Sequence, residues 1–234
     1  MASIRDDRGY NQGFERTDTF MVRIERRADW FIEKMNKKDE TINVLEIGAG
    51  TGEISYFIAK KTKANVIGTD ICMPFVDGAN EEYKLPNLKF DFLDFNHPEK
   101  LNGMKFDYIV GNGILHHLYY HLDSALVNIR ALLKEDGKMI FMEPNIYNPY
   151  CFIIFNYARK WANLEPDEMA FSRSFISNKL KNAKYTKIDV SYKDFLLPNT
   201  PNFLVKPVIW IGGILEKIFP FNRVTQSIFI CATK

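Results

Sequence analysis

The chain has few cysteines, and their spacing excludes the usual cysteine chemistry. Three are present, Cys72, Cys151 and Cys231, and they lie far apart in the sequence. No two of them have the close spacing of a zinc or iron–sulfur motif, so we expect no metal site. Cysteines this sparse are typical of a reducing compartment, and we expect a cytoplasmic protein whose thiols are reduced.

The chain also lacks an excess of charge of one sign. Its formal net charge is +2, and its lysines are spread along the sequence without a basic run or arm. A nucleic-acid partner is therefore not expected, because such proteins concentrate their basic residues on one surface. Residues 1–10 are polar and charged, so we expect no cleavable signal peptide.

No apolar run in the sequence is long enough to cross a bilayer, which takes about 20 residues. The most apolar stretch is 203–219, whose charged residues are Lys206, Glu216 and Lys217. This stretch can lie in a membrane interface as a peripheral contact, cover a greasy substrate as a lid, or form a dimer contact. The sequence leaves these interpretations open, and with them the oligomeric state.

The most informative segment is 44–52, where an apolar strand meets a turn with three glycines. The apolar residues within 42–47 predict a buried central strand, and 53–61 predicts the helix that follows. Glycines permit a tight turn and a close approach of the backbone to a ligand. A strand, a glycine turn and a helix in this order are typical of the nucleotide-binding half of doubly wound α/β folds.

A dinucleotide is a poor ligand for this turn, although its fingerprint also begins with alternate glycines. Counted from Gly48, the sixth position is Glu53, where that fingerprint needs glycine or alanine for close helix packing. Glu46 would also repel a pyrophosphate, by roughly 4 kcal/mol at an effective dielectric of about 20. A ligand with a cationic end suits Glu46 better, and S-adenosylmethionine carries an ammonium and a sulfonium but no phosphate.

From this turn to about Asn145, the chain resembles the class I S-adenosylmethionine-dependent methyltransferases. The resemblance implies an α/β, Rossmann-like, doubly wound fold with a mainly parallel seven-stranded sheet, an antiparallel last strand at the sheet edge, and a helical cap insertion. It also implies S-adenosylmethionine as the cofactor, and transfer of its methyl group to an acceptor by in-line displacement.

The resemblance implies cofactor-binding roles at the ends of four successive strands. In this family an acid and the glycine turn lie along the methionine part of the cofactor, and an acid after the second strand holds both ribose hydroxyls. An acid and an amide after the third strand contact the adenine, and a segment after the fourth passes under the methyl. The matching residues here are Glu46, Gly48, Ala49, Gly50, Gly52, Asp70, Ile71, Asp94, Phe95, Gly111 and Asn112.

The roles assigned to two of these acids, Asp70 and Asp94, have alternatives. Asp70 alone reads as a polar strand end, but it follows the glycine turn by about twenty residues, the spacing expected of an acid on ribose. Asp91 competes with Asp94 for the adenine. We favour Asp94 because it lies beyond the third strand, whereas Asp91 falls on the strand's alternate face.

Three residues are candidate bases. His117 and His116 follow the fourth strand, and a histidine has the near-neutral pKa that a general base needs. Glu143, at the end of the fifth strand, is the third candidate. A base is required only if the acceptor must lose a proton, so a structural role for both histidines stays open. Glu143 and Asn145 are also candidate substrate contacts, with loop capping as the alternative.

We expect a single methyltransferase domain over 1–234. Its expected parts are an N-terminal helical lid at 1–40 and a cofactor-binding core at 41–145. A cap with a helix is expected at 146–183, and C-terminal strands at 184–234 with an apolar insertion at 194–220. Tyr10, with Phe14, is predicted to cover the bound cofactor, with a frayed terminus as the alternative. A helical stripe at 122–133 is predicted to end at Gly137.

The expected acceptor is a small molecule that is hydrophobic, lipid-like or carrier-linked. The aromatic segment 147–161 and the apolar stretch 203–219 offer more apolar surface than methyl transfer needs. One alternative is a nucleic-acid methyltransferase, but Gly111-Asn112-Gly113-Ile114 stands where enzymes that methylate base amino groups carry an Asn/Asp-Pro-Pro-aromatic motif. The other is a non-catalytic cofactor-binding or scaffold protein of the same fold.

Overall fold

Seven strands form one sheet in the computed structural model, which describes residues 16–37, 39–95, 97–101, 103–160, 164, 168–197 and 200–234. The strands are β1 (Asn43–Ile47), β2 (Asn65–Asp70), β3 (Leu88–Phe92), β4 (Phe106–Asn112), β5 (Leu133–Pro144), β6 (Thr186–Lys193) and β7 (Ser227–Thr233). They hydrogen-bond in the order β3-β2-β1-β4-β5-β7-β6. β1 is parallel to β2 and β4, β2 is parallel to β3, and β7 is antiparallel to β6. The predicted α/β fold with a mainly parallel sheet is confirmed.

The predicted edge position of the last strand is wrong. β7 lies between β5 and β6, so β6 takes the edge. Every residue of β7 is buried, whereas β6 exposes much of its length and carries Lys187, Asp189 and Lys193. An apolar strand gains by being covered on both sides, and a charged strand tolerates an edge where its backbone meets water.

Seven α-helices occur in the described part of the chain. They are α1 (Asp18–Lys34), α2 (Glu53–Lys61), α3 (Met73–Glu82), α4 (Leu122–Leu132), α5 (Pro149–Asn156), α6 (Arg173–Asn182) and α7 (Asn202–Leu215). A 3-10 helix at Leu115–His121 follows β4 directly. Side chains cap several of these helices: the Thr17 hydroxyl accepts from Phe20 N at 3.1 Å, and the Ser172 hydroxyl accepts from Phe175 N at 3.2 Å.

Gly137 does not end a helix, so that prediction is also wrong. α4 ends at Leu132, and Gly137 lies inside β5, directly after Asp136, whose φ is 61°. A Cβ on Gly137 would stand 2.9 Å from the Lys134 carbonyl oxygen and 3.1 Å from that of Asp107. The glycine therefore serves a close backbone approach within the sheet.

The contacts of the chain divide it into two compact units. The first consists of Met1–Gly111 with Leu132–Lys138, and the second of Asn112–Ala131 with Met139–Lys234. The expected lid, core, cap and C-terminal part of a single domain stay a prediction. Among the described residues, no helix combines the length and apolar character that a membrane span requires.

The core of the first unit is formed by apolar faces of α1, α2 and the inner strands. On α1, the side chains of Phe20, Ile24 and Ala28 are all buried. The fully buried side chains in the core of the first unit include Ala28, Phe31, Val44, Leu45, Ile58 and Ile109. The second unit has its own core, whose fully buried side chains include Leu126, Phe141, Phe171, Ile176 and Phe229. Each unit thus buries its own large apolar side chains.

One aromatic ring packs against two glycines near the turn. A Cβ on Gly68 would stand 2.5 Å from the Phe90 ring, and one on Gly52, whose φ is +92°, would stand 2.8 Å from it. Phe90 belongs to a buried cluster with Val76, Ala79 and Tyr83. The missing side chains of the glycines therefore allow β3 and α3 to pack closely beside the turn.

We expect Gly68→Ala to lower the free energy of unfolding by about 1 to 3 kcal/mol, because Phe90 must shift to admit a methyl group. The matched control is Gly78→Ala in α3, where a Cβ has nothing within 4 Å. Alanine's helix propensity should leave that variant unchanged or more stable by up to about 1 kcal/mol. Urea denaturation measures both, and equal stabilities would show that Phe90 moves aside without cost.

Candidate active site

The glycine turn between β1 and α2 leaves space beside its backbone. Gly48 and Gly50 have φ values of 68° and 53°, and a Cβ built on Gly50 would have no heavy atom within 4 Å. Ala49 N donates to the Thr69 carbonyl at 2.9 Å, which holds the turn against the end of β2. Residues 48–51 are partly exposed. The turn therefore offers backbone groups to an open space, as a cradle for a nucleoside cofactor requires.

Asp70 ends β2 beside this turn, with its carboxylate fixed by backbone amides. One oxygen accepts from Gly50 N at 2.8 Å and the other accepts from Cys72 N at 2.9 Å. The side chain is partly exposed, as is the neighbouring Ile71. Each carboxylate oxygen can accept more than one hydrogen bond, so the fixed carboxylate remains suited to a pair of ribose hydroxyls.

Glu46, in β1, is buried rather than turned toward open space. Its Oε2 accepts from the Ser55 hydroxyl of α2 at 2.6 Å. Burial raises the pKa of Glu46 to about 8, against the hydrogen bond from Ser55, which lowers it. The predicted cofactor role of Glu46 stays a prediction, and the contact that the structure gives its side chain is the one to Ser55.

The buried acid should make stability depend on pH. The pKa of Glu46 in the folded chain, about 8, exceeds the ordinary 4.5, so the folded state holds the proton more tightly than the unfolded state. The free energy of unfolding is therefore highest below the ordinary pKa and falls as the pH rises toward 8.

Glu46→Gln should remove a fall of roughly 2 to 5 kcal/mol across that range, because a neutral amide has no proton to lose. Urea denaturation at several pH values measures the difference. Glu81→Gln on exposed α3 is the matched control and should keep the slope of the native chain. A Glu46→Gln variant with the same slope as the native chain would contradict the assignment.

The candidates after β3 lie in different surroundings. Asp94 is partly buried, its carbonyl accepts from His97 N at 2.9 Å, and the neighbouring Phe95 is buried. The competing acid, Asp91, is partly exposed and pairs with Lys100 at 2.6 Å. Leu93 N donates to the Asp70 carbonyl at 2.9 Å, which joins this loop to the end of β2. The backbone next to Asp94 is thus hydrogen-bonded to the backbone of Asp70.

Sequence reasoning missed Arg16, which lies against the glycine turn. Its Nε contacts Glu53 at 2.6 Å, and its terminal nitrogens reach the Thr51 carbonyl at 3.2 Å and the Glu82 carboxylate. No signal in the sequence distinguishes this arginine from others near the N-terminal helix. Tyr10 and Phe14, the predicted lid residues, lie outside the described residues, as does Trp161.

In the second unit, Glu143 near the end of β5 caps the 3-10 helix that follows β4. Its Oε1 accepts from Leu115 N at 2.8 Å and Ile114 N at 3.1 Å, and its Oε2 accepts from His116 N at 3.3 Å. Helix N-termini present unsatisfied N–H groups, and a carboxylate satisfies them with a favourable charge. This capping places the buried carboxylate beside His116.

Glu143 also orients His116. The His116 Nδ1 lies 2.8 Å from Glu143 Oε2, and both side chains are buried. A carboxylate that accepts three backbone N–H bonds acts as the acceptor here too, so Nδ1 carries the proton and Nε2 holds a lone pair. Burial, together with the neighbouring His117, lowers the pKa of His116 below its ordinary 6.5. The imidazole is therefore neutral near pH 7, as a base must be.

His117 pairs with a different acid, which the sequence did not single out. Its Nδ1 lies 3.1 Å from Oε1 of Glu168, a buried side chain, and the two histidine rings have centroids 4.2 Å apart. Arg159 donates to the Glu168 carbonyl at 3.0 Å. Glu168 follows three residues outside the described chain, and nothing in the sequence separates it from Glu165 and Asp167. Only the fold brings it to the histidines.

Three ligand atoms of this cluster lie close enough for a metal ion. Among the described residues, His116, His117 and Glu168 each offer one atom, all within 4.8 Å of one another. The distance between His116 Nε2 and Glu168 Oε2 is 4.0 Å. The chemistry of the group suits a divalent ion, while the expectation of a metal-free protein stays a prediction. Chelation with EDTA distinguishes the two.

The remaining candidates lie at the ends of β4 and β5. Asn145 is buried: its amide donates to the carbonyls of Arg223 and Thr225 at 2.9 and 2.8 Å, and its oxygen accepts from Tyr147 N at 3.1 Å. These are the contacts of the loop-capping alternative. Gly111 is buried and Asn112 is partly exposed at the end of β4. Their cofactor roles stay predictions.

A cavity of about 540 Å³ lies within the second unit. Its described lining is more polar than the apolar tunnel that a lipid acceptor would favour. The lining residues are Tyr147, Arg173, Ser174, Ser177, Tyr192, Phe219, Asn222 and Arg223. Arg223 lies over the Phe219 ring, 4.9 Å from its centroid. Two guanidinium groups without a carboxylate among these residues suit an anionic group.

Comparison with known proteins shows what this chain resembles. Residues 45–139 match the family described as a methyltransferase domain. Solved S-adenosylmethionine-dependent methyltransferases share its fold. The chain therefore resembles this family over residues 45–139 and has the fold of the S-adenosylmethionine-dependent methyltransferases, so the resemblance inferred from its sequence is confirmed.

Several individual proteins are similar to this chain. Probable polyketide synthase 42 of Dictyostelium discoideum is 27% identical over 157 residues, 58% of this chain and 6% of that protein. A methyltransferase from Archaeoglobus fulgidus superimposes with a TM-score of 0.64 at 16% identity, over 92% of this chain and 94% of that chain. The CurJ carbon methyltransferase superimposes with a TM-score of 0.59 at 21% identity, over 92% of this chain and 54% of that chain. This chain thus spans about 6% of the length of the curated relatives it matches.

Proposed function

We propose that the protein transfers the methyl group of S-adenosylmethionine to a carbon atom of a small, hydrophobic or carrier-linked acceptor. The observation that carries this proposal is the buried pair of His116 and Glu143, joined at 2.8 Å. A carbon acceptor must lose a proton, and this pair supplies a fixed, neutral base. Relatives named as a polyketide synthase and a carbon methyltransferase support a polyketide-like acceptor.

The cofactor residues of the proposal are those of the glycine turn and the ends of β2 and β3. Asp70 would accept hydrogen bonds from both ribose hydroxyls of the cofactor, and Asp94 and Phe95 N would contact its adenine. The glycine turn would lie along the methionine part of the cofactor. When bound, S-adenosylmethionine supplies an electrophilic methyl group, to which the acceptor carbon bonds as the carbon–sulfur bond breaks. Holding an acceptor at near-attack distance accounts for about 7 to 11 kcal/mol in favourable cases.

His116 is the proposed base, ahead of His117. Its Nε2 accepts the proton of the acceptor C–H, whose electron pair becomes the new carbon–carbon bond, and the imidazolium then returns the proton to water. Glu143 is a positioning residue, because its oxygens fix the His116 tautomer and favour the imidazolium. The His117 side chain is more exposed, 31% against 10%, and its Nδ1 is engaged by Glu168.

The cavity of the second unit supports an acceptor that carries an anionic group. Arg173 and Arg223 present guanidinium groups to it, and Ser174 and Ser177 add hydroxyl donors. A phosphate or carboxylate on the acceptor or on its carrier arm would satisfy these donors. An apolar chain of the acceptor would lie against Tyr147 and Phe219.

The direct test is turnover with a simple β-keto thioester and methyl-labelled S-adenosylmethionine, with the product analysed by mass spectrometry. Label on the α-carbon supports the proposal, and label on oxygen or nitrogen contradicts it. Calorimetry with S-adenosylmethionine, S-adenosylhomocysteine and NADH as the control separates the alternatives. Binding of the first two without turnover of any acceptor would favour the non-catalytic protein, and activity lost to EDTA would favour a metal.

The pH dependence of turnover should report the His116 base. Because burial lowers its pKa, kcat/KM should rise with pH along an acid limb whose midpoint lies below 6.5. In Glu143→Gln the carboxylate that raises this pKa is gone, so the limb should move to lower pH and the rate should fall at least about tenfold. Rates from acid to neutral pH measure both effects, and a native midpoint above 6.5 would exclude His116 as the base.

A further inference from the structure

The exposed side of α7 is apolar, which is the reverse of an ordinary surface helix. Phe203 is 78% exposed and Trp210 is 71% exposed, and Ile211 and Ile214 are exposed beside them. At 3.6 residues per turn these four side chains lie on one face of the helix. These four apolar side chains of α7 therefore point toward solvent instead of into a core.

The opposite face of α7 holds the helix in place. Val205 and Gly212 are the buried residues of α7, and a Cβ on Gly212 would stand 3.1 Å from that of Phe195. Just after the helix, Glu216 accepts from Asp194 N at 2.9 Å and pairs with Lys193 at 3.2 Å. The helix is thus attached to its own unit through small residues and its C-terminal end, and the apolar side is presented outward in a fixed orientation.

The apolar surface continues beyond the helix. Phe219 is 68% exposed, and Phe221 is exposed close to it. Asn148 donates to the Val224 carbonyl at 2.7 Å, so the N-terminus of α5, with exposed Tyr150, adjoins the same segment. We define the apolar face by its six principal side chains, Phe203, Trp210, Ile211, Ile214, Phe219 and Phe221. A patch of this kind marks an interaction surface.

The exposed charges of residues 200–224, which carry the apolar face, are all positive. Lys206, Lys217 and Arg223 are exposed. Within residues 200–224 the acidic residue is Glu216. Its side chain is 9% exposed and is paired with Lys193. The Arg223 guanidinium lies over the Phe219 ring, so a cation and an inserting aromatic occupy the same spot. The face therefore presents apolar side chains surrounded by cations, without an exposed acid among these residues.

We propose that the apolar face docks the protein on a membrane whose surface carries anionic phospholipids, with α7 lying in the plane of the interface. Tryptophan and other aromatics are favoured at this depth, and lysines and arginine reach the headgroups above it. A two-fold contact with a second copy would bring the same three cations of each chain toward one another, which repels. The apolar face shares Phe219 and Arg223 with the cavity that the proposed function assigns to the acceptor, so the variants that test the face lie on α7, at Trp210 and Ile214.

The test is flotation of the purified protein with two kinds of vesicle, phosphatidylcholine alone and phosphatidylcholine with phosphatidylserine. The native protein should float with the anionic vesicles, and its tryptophan fluorescence should shift to the blue. Trp210→Phe should remove most of that shift, since Trp210 is the tryptophan of the apolar face. Added salt should weaken the binding by screening the lysines.

Variants separate the apolar and the charged contributions. The double variant Trp210→Glu with Ile214→Glu should abolish flotation. The matched control is Val127→Glu, at an exposed position of α4, which should float like the native chain. Lys206→Glu and Lys217→Glu should each weaken binding to anionic vesicles by at least about fivefold. Circular dichroism confirms that each variant is folded.

Two results would overturn the proposal. A folded native protein that floats with neither vesicle lacks the membrane contact. A concentration-dependent dimer, seen by light scattering and abolished by Trp210→Glu with Ile214→Glu, would assign the apolar face to a second copy of the chain instead.

Discussion

His116→Asn is expected to slow methyl transfer by about 10²- to 10⁴-fold while leaving the affinity for S-adenosylmethionine unchanged. The asparagine amide can still donate to Glu143, as His116 Nδ1 does across 2.8 Å, so the cap of the 3-10 helix should persist. What the variant lacks is the Nε2 lone pair. Single-turnover rates with the β-keto thioester and calorimetry with the cofactor measure the two effects separately.

His117→Asn is the matched control, because it removes the neighbouring ring and keeps a donor for Glu168. We expect a modest loss, less than about tenfold. The reverse order, with the larger loss in His117→Asn, would make His117 the base. Equal and small losses in both variants would mean that the acceptor needs no base, and the carbon acceptor would then be excluded.

Asp70→Ala is expected to weaken S-adenosylmethionine and S-adenosylhomocysteine binding by at least about tenfold and up to about a hundredfold. Hydrogen bonds to a charged group contribute about 1.5 to 3 kcal/mol each, and a factor of ten in affinity corresponds to about 1.4 kcal/mol. The carboxylate also organises the turn by accepting from Gly50 N and Cys72 N. Its loss therefore removes both a ligand contact and part of the cradle.

Asp91→Ala is the control for this variant, since Asp91 is the neighbouring acid of β3 and pairs with Lys100 at the surface. It should bind the cofactor like the native chain. Thermal unfolding of both variants shows whether the fold persists. An Asp70→Ala protein that is folded and binds S-adenosylhomocysteine with native affinity would remove Asp70 from the cofactor site.

The β1–α2 turn shows how much local pattern can determine. Strand β1 lies within the predicted 42–47 and helix α2 lies at the predicted 53–61, and the glycines adopt the positive φ values that only glycine adopts easily. Such features depend on residues close in sequence, because backbone sterics and a period of burial act over a few residues. The family resemblance rested on the same local features.

β7 and Gly137 show where two expectations were wrong, the first taken from the family resemblance and the second from local pattern. Both errors concern partners distant in sequence: β7 takes an inner place because β6 is the more polar strand, and Gly137 faces the backbone of Asp107. The period of a strand tells which residues are buried, but it does not tell which strand lies next to it. Those choices follow from the packing of the whole sheet.

The candidate site divides in the same way. The sequence by itself determined the glycine turn, the acids after β2 and β3, and the presence of two histidines after β4, because each sits at a fixed spacing from an apolar strand. Only the tertiary structure decided that Glu143 holds His116, that Glu168 holds His117, and that α7 turns its apolar side outward. These relations join residues far apart in the chain, and hydrogen bonding and burial select them only once the strands and helices are packed.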